Sequence, residues 1–118
     1  MAWRLVQYRG AYDAFIAECD EGLRDAIAQR LTMVALRGSS ARFPLTESFG
    51  DGLFEIRAKS ARVHARLLFG FVPVQQIVIV WAGFKDQRRL PPETIRLARR
   101  LLEEAEAHLE GFGDVQIH

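Results

Sequence analysis

Between Glu55 and Arg66 the sequence EIRAKSARVHAR puts a charged or imidazole side chain at nearly every second position. Alternation is the period of a β-strand, whose successive side chains point to opposite faces. Leu53 to Lys59 reads as one strand, with Phe54, Ile56 and Ala58 on one face and Glu55, Arg57 and Lys59 on the other. Arg62 to Phe71 reads as a second, with Val63, Ala65, Leu67 and Phe69 opposed to Arg62, His64, Arg66 and Leu68. If the two pair as an antiparallel hairpin, Arg57, Lys59, Arg62, His64 and Arg66 share one sheet face. Glu55 is the only acid among them. Lys85, Arg88 and Arg89 leave the end of a third strand and border the same surface. Such a cluster suits a polyanion, because guanidinium groups match phosphate in a planar, two-pronged geometry. A basic patch serving solubility, or meeting an acidic protein, would show the same pattern.

The remaining reactive residue types offer less. His64 lies among the arginines, where a neutral imidazole would serve as a general base. His108 lies near the end of the last predicted helix, where a cation is favoured, and His118 is the terminal residue. The single Cys19 stands beside Asp20 and Glu21, a setting that disfavours a thiolate nucleophile. No CxxC, HExxH, phosphate-binding glycine loop or dinucleotide fingerprint occurs, so neither a metal nor an organic cofactor is expected.

The 118 residues carry 16 Lys+Arg and 15 Asp+Glu, a net charge of +1 that conceals a strong asymmetry. Residues 1–51 hold 6 basic and 7 acidic side chains, residues 52–92 hold 7 and 2, and residues 93–118 hold 3 and 6. The middle third is therefore at +5 between segments at −1 and −3. A hydrophobic content of 49% fits a globular domain and excludes disordered and disulfide-scaffold classes. One cysteine, no membrane-length apolar run and no signal-peptide pattern point to a cytoplasmic protein.

The positioning elements follow from periodicity. Trp3 to Tyr8 alternates as a short first strand, and Tyr12 to Cys19 fits a short helix. Leu23, Ile27, Leu31 and Val34 recur at helical spacing within Glu21 to Arg37, and Gly38 ends that helix. Residues 38–52, rich in Gly, Ser and Pro, read as a loop. Gln76 to Phe84, QIVIVWAGF, reads as a strand covered on both faces. A final helix starts at Pro91 or Pro92, with Ile95, Ala98, Leu102, Ala105 and Leu109 as its buried stripe. The expected fold is a single α+β domain over 1–118, order β-α-α-β-β-β-α. Its helices are expected on one face of an antiparallel or mixed sheet. Residues 111–118 are expected to form a flexible tail.

The ordered set G-D-G-L-F-E-I-R at Gly50 to Arg57, H-A-R at His64 to Arg66 and W-A-G-F at Trp81 to Phe84 then acquires a family context. Together with the basic loop, Pro91 and the helical I-R-L-A-R-R-L, it resembles the RelE/HigB-type toxins of toxin–antitoxin systems, in the phage-derived HigB-like branch. The likeness spans residues 3–110. It implies a metal-independent endonuclease that cuts mRNA, usually on the ribosome, by attack of the 2′-hydroxyl on the adjacent phosphate. By the same resemblance Arg57 and Arg66 would contact the phosphate and transition state, and His64 or Lys59 would be the base. Arg62, Lys85, Arg88 and Arg89 would hold RNA. The loop F-K-D-Q-R-R-L-P is about one residue shorter than the family's, and Asp86 interrupts its charge. Tyr8 and Tyr12 are both N-terminal, which leaves the general acid unassigned.

The implied partners are mRNA on the ribosome and a helix-turn-helix antitoxin offering acidic groups and an apolar helix to Arg57, Arg62 and Arg66. No membrane partner is implied. Trp3 and the two-sided third strand are the candidates for a homodimer surface. Two other functions fit the same elements: a ParE-like toxin that inhibits gyrase, and a phage-derived RNA- or protein-binding domain without nuclease activity.

Overall fold

A computed structural model describes residues 2–86 and 88–117. Among these residues six strands form one mixed sheet: β1 (Arg4–Tyr8), β2 (Thr46–Gly50), β3 (Leu53–Lys59), β4 (His64–Val72), β5 (Gln76–Phe84) and β6 (Phe112–Asp114). Three α-helices accompany them: α1 (Ala11–Ile16), α2 (Glu21–Arg37) and α3 (Pro92–Ala107). The strand order is β2-β3-β4-β5-β1-β6. All neighbours are antiparallel except β1 and β5, which run parallel with Val6 opposite Val78. The α+β class holds, and the expected elements occur in the expected order with β2 and β6 added.

α2 forms because its apolar residues share one stripe and both ends are fixed. Leu23, Ile27, Leu31 and Val34 are each no more than 1% exposed. Burying each of these side chains contributes about 1.5–3 kcal/mol. Asp20 caps the start by accepting a hydrogen bond from the Leu23 amide at 2.8 Å. Gly38 ends the helix at φ +57°, and a Cβ there would fall inside the Trp3 ring.

The helices do not share a face. Tyr12, Phe15 and the α2 stripe pack with Ile56, Leu67, Phe69, Ile77 and Ile79. On the opposite face, Ala98, Leu102 and Ala105 of α3 pack with Val6, Leu53, Leu68, Val78 and Val80. The one-faced arrangement expected from sequence is thus corrected. The reason lies in β5, whose unbroken apolar run needs cover on both sides. Of the two candidate dimer surfaces, Trp3 is half-buried against Gly38 and Phe71, and Ile77 to Val80 of β5 are buried by the chain's own helices.

Three further expectations change. Part of the loop 38–52 is strand β2, an edge strand paired to β3. The segment expected as a tail includes β6, which pairs Phe112–Asp114 with Tyr8–Val6. Leu109 lies beyond α3, is 60% exposed and leaves the buried stripe. His118 lies outside the described residues.

Candidate functional site: a compensated arginine pair beside a basic cleft

The β3–β4 register supplies the shared face. Arg57 is opposite Arg66 and Lys59 is opposite His64, so these four side chains leave the same side of the sheet. That side is the α3 side, since Leu53 on β3 and Leu68 on β4 both pack in the α3 core. Beyond those apolar residues the face is left to polar and charged groups. Arg62 lies in the turn between the strands, closed by the Ser60 amide donating to the Val63 carbonyl at 2.9 Å, and is exposed. Lys59 and His64 are exposed as well.

Two like-charged pairs face each other across this sheet edge: Arg57 with Arg66, and Glu47 with Glu55. Directly opposed like charges destabilise a sheet unless diagonal neighbours compensate them. Here the compensation is complete. Arg57 Nε donates to Glu55 Oε1 at 2.6 Å and its Nη2 donates to Glu47 Oε2 at 2.6 Å. Arg66 Nη1 donates to Glu55 Oε2 at 3.3 Å. The four charges alternate as Glu47–Arg57–Glu55–Arg66 and sum to zero. The hydrogen bond to Glu55 is the main cause that raises the Arg57 pKa above its ordinary value, with Glu47 adding to it against partial burial.

Exposure differs sharply along this chain of charges. The Glu55 side chain is fully buried and that of Arg66 is 3% exposed, whereas the Arg57 side chain is 49% exposed. Arg66 also donates through Nη2 to the Arg88 carbonyl at 2.7 Å. Among the described residues, Lys59, Arg62, Lys85, Arg88 and Arg89 form no ion pair, and Asp86 stands between them in the loop.

A cleft of about 210 Å³ opens where β5 passes into the loop before α3. Arg66 and Trp81 form part of its wall, Lys85, Asp86 and Arg89 its charged lining, and Phe84, Leu90, Pro91 and Thr94 the remainder. Gly83 shapes the cleft, since a Cβ there would come within 2.6 Å of the Trp81 ring. Gly83 is also opposite Arg66, so the Trp81 ring lies beside the arginine pair. The Lys85 amide donates to the His64 carbonyl at 2.8 Å, which carries the sheet ladder into the loop. Two depressions of about 620 and 610 Å³ lie elsewhere, but their linings hold no cluster of cations.

Six of the eight sequence-predicted residues thus gather on one face or around its cleft: Arg57, Lys59, His64, Arg66, Lys85 and Arg89. Arg62 stands in the adjoining turn and Arg88 meets the site through its carbonyl. Sequence reasoning missed Glu47, because β2 carries no apolar alternation to reveal its pairing. Trp81 and Thr94 were missed as lining residues, although the W-A-G-F motif marked the first. Tyr8 and Tyr12 are buried, and the Tyr8 hydroxyl approaches Glu104 at 3.4 Å. Cys19 is buried too, its thiol donating to the Phe15 carbonyl at 3.4 Å. Burial, with Asp20 and Glu18 added and Arg24 opposing, raises its pKa, which fits a structural thiol.

The family model described as phage derived protein Gp49-like (DUF891) matches residues 14–103, from α1 into α3. The chain belongs to the Gp49-like family. This is a family of toxins of the toxin–antitoxin type, RelE-like and HigB-like, without restriction to the HigB branch. The match encloses β2 to β5 and the basic loop, and so every residue of the candidate site described above. No curated protein matches the chain. No helix among the described residues is long and apolar enough to cross a membrane.

Proposed function

We propose that this Gp49-like protein is the toxin of a toxin–antitoxin pair and acts in the cytoplasm as an mRNA endonuclease. The observation that carries this reading is the gathering of Lys59, His64 and the half-exposed Arg57 on one sheet face, whose Arg66 also walls a cleft lined by Lys85 and Arg89. RNA offers such a site both its phosphates and its own nucleophile, the 2′-hydroxyl. The reaction needs a group to take the hydroxyl proton and cations to meet the charge on the pentacoordinate phosphorus. It also needs a donor for the departing 5′-oxygen.

Lys59 and His64, opposite each other and exposed, are the candidates for the proton-accepting group. Arg57 offers the exposed part of its guanidinium to phosphate, with Arg66 and Glu55 behind it. Lys85, Arg88, Arg89 and Arg62 hold the RNA strand by charge. Trp81 presents aromatic surface to which a base can stack. No protein side chain of this face is an obvious acid. A ribosome that positions the RNA would lessen that demand, because orientation alone removes much of such a barrier. The antitoxin partner would cover this face with acidic groups.

Expression of the wild type and a Lys59→Ala/His64→Ala variant in a bacterial host tests the proposal. Both substituted side chains are exposed, so the variant is expected to fold. Arrest by the wild type alone, with mRNA cut at codon-spaced positions, is the expected outcome. Arrest with intact mRNA and damaged DNA would favour gyrase inhibition instead. No arrest by protein that is folded and abundant would assign the chain to a binding module without nuclease activity.

A further inference from the structure

We infer that Arg66 is a positioning residue, which fixes the loop carrying Lys85 and Arg89 from a buried seat on β4 and does not itself touch phosphate. The inference rests on the reading of this face as an RNA site and concerns how that site is held together. Three observations support it.

The first is access. The Arg66 side chain is 3% exposed, against 49% for Arg57 directly across the hairpin. The second is what its amine groups do. Nη1 is held by the buried Glu55 carboxylate at 3.3 Å, and Nη2 by the Arg88 carbonyl at 2.7 Å. A phosphate seated on Nη2 would have to displace a backbone carbonyl of the loop that supplies the site's other cations. The third is the loop itself. Between Phe84 and Pro92 its described residues belong to no helix or strand, and Asp86, Arg88 and Arg89 are exposed. It is tied down at its start by the Lys85 amide on the His64 carbonyl and at its end by Leu90, which is buried in the α3 core. The Arg66–Arg88 bond is a third tie, between those two. The tie starts from β4 two residues beyond His64, so both ties draw the loop against one stretch of one strand.

Arginine suits this role for a geometric reason. Its planar fork reaches two acceptors lying in different directions, the carboxylate and the carbonyl, while remaining charged at every relevant pH. Lysine, with one compact ammonium, would keep the charge next to Glu55 and lose the second anchor. The conservative exchange therefore separates the two roles. A phosphate contact tolerates lysine better than a two-ended strut does.

The test uses the full chain as wild type, Arg66→Lys, Arg66→Met and the loop variant Lys85→Ala/Arg89→Ala. Circular dichroism establishes that each is folded, and Arg66→Lys serves if the methionine variant does not fold. Amide hydrogen exchange is expected to quicken at Lys85, Asp86, Arg88 and Arg89 in Arg66→Lys, with β3–β4 protection kept. Unchanged loop exchange would overturn the inference whether or not RNA binds. Affinity for a short single-stranded oligoribonucleotide is then measured against salt. In Arg66→Lys the salt slope should fall as far as in the loop variant, and adding Arg66→Lys to the loop variant should change nothing more. An unchanged slope in Arg66→Lys with a slope lower by about 0.7 in Arg66→Met, the loss of one phosphate contact, or effects that simply add, would restore Arg66 as a direct contact. Absence of RNA binding by the wild type would instead overturn the RNA reading, leaving the exchange result to judge the strut.

Discussion

A carboxylate taken out of water is stable only when its oxygens are fully paired, and Glu55 meets that condition with one arginine on each oxygen. Its replacement by glutamine would take the Glu55 counter-charge from the buried Arg66. We expect Glu55→Gln to lower the free energy of unfolding by about 3–5 kcal/mol in urea titrations. Glu47→Gln removes a carboxylate from a pair in which both side chains are over 40% exposed. Its cost is expected to stay below about 1 kcal/mol. The same bookkeeping explains why replacing Arg57 and Arg66 together is a poor functional control, since it strands Glu55 in the sheet. Burial also raises the pKa of the Cys19 thiol and, with Asp13, of the Tyr12 phenol. A proton held more tightly in the folded chain gives stability that is complete below the unfolded pKa. That stability is lost as pH rises through the folded pKa. The urea midpoint should therefore decline as pH passes the thiol's ordinary value of 9.0, and decline less in Cys19→Ala.

At the scale of elements, the site depends on where α3 stops covering the sheet. α3 also holds the β2–β3 turn: Arg99 donates to the Gly50 carbonyl at 2.9 Å and to the Phe49 carbonyl at 2.6 Å. Arg99→Met is expected to cost about 1–2 kcal/mol and to quicken amide exchange in β2, the strand that brings Glu47 to Arg57. Gly38→Ala should cost about 2–4 kcal/mol in the same urea titrations, since it combines left-handed backbone strain with a clash against Trp3. The elements legible from sequence were those whose periodicity is enforced by burial. The α2 stripe and the alternation of β3 and β4 are of this kind, and that alternation placed Arg57, Lys59, His64 and Arg66 on one face. β2 was not legible, because TESFG alternates neither in polarity nor in β-branched character and is an edge strand. β6, three residues long, draws its order from pairing with β1. The two-sided helix cover was implied by QIVIVWAGF, but which helix took which face depends on chain connections that no local pattern encodes.

For the whole molecule, the segmental charge of +5 over residues 52–92 overstates what a ligand would meet. Two of its seven cations are neutralised by Glu47 and Glu55, and the first of these acids lies in the preceding segment. The charge left to act on a polyanion belongs to Lys59, Arg62 and the loop. RNA affinity should accordingly fall steeply with added salt, and the slope should drop by about 0.7 for each of Lys59→Ala and Lys85→Ala, read from binding isotherms. The central claim, cleavage of mRNA through its own 2′-hydroxyl, is met most directly by the chemistry of the cut ends. Total RNA taken after induction of the wild type should carry new fragments with 5′-hydroxyl and 2′,3′-cyclic phosphate termini, absent from the Lys59→Ala/His64→Ala variant. New fragments bearing 5′-phosphates, or none at all during growth arrest, would contradict it.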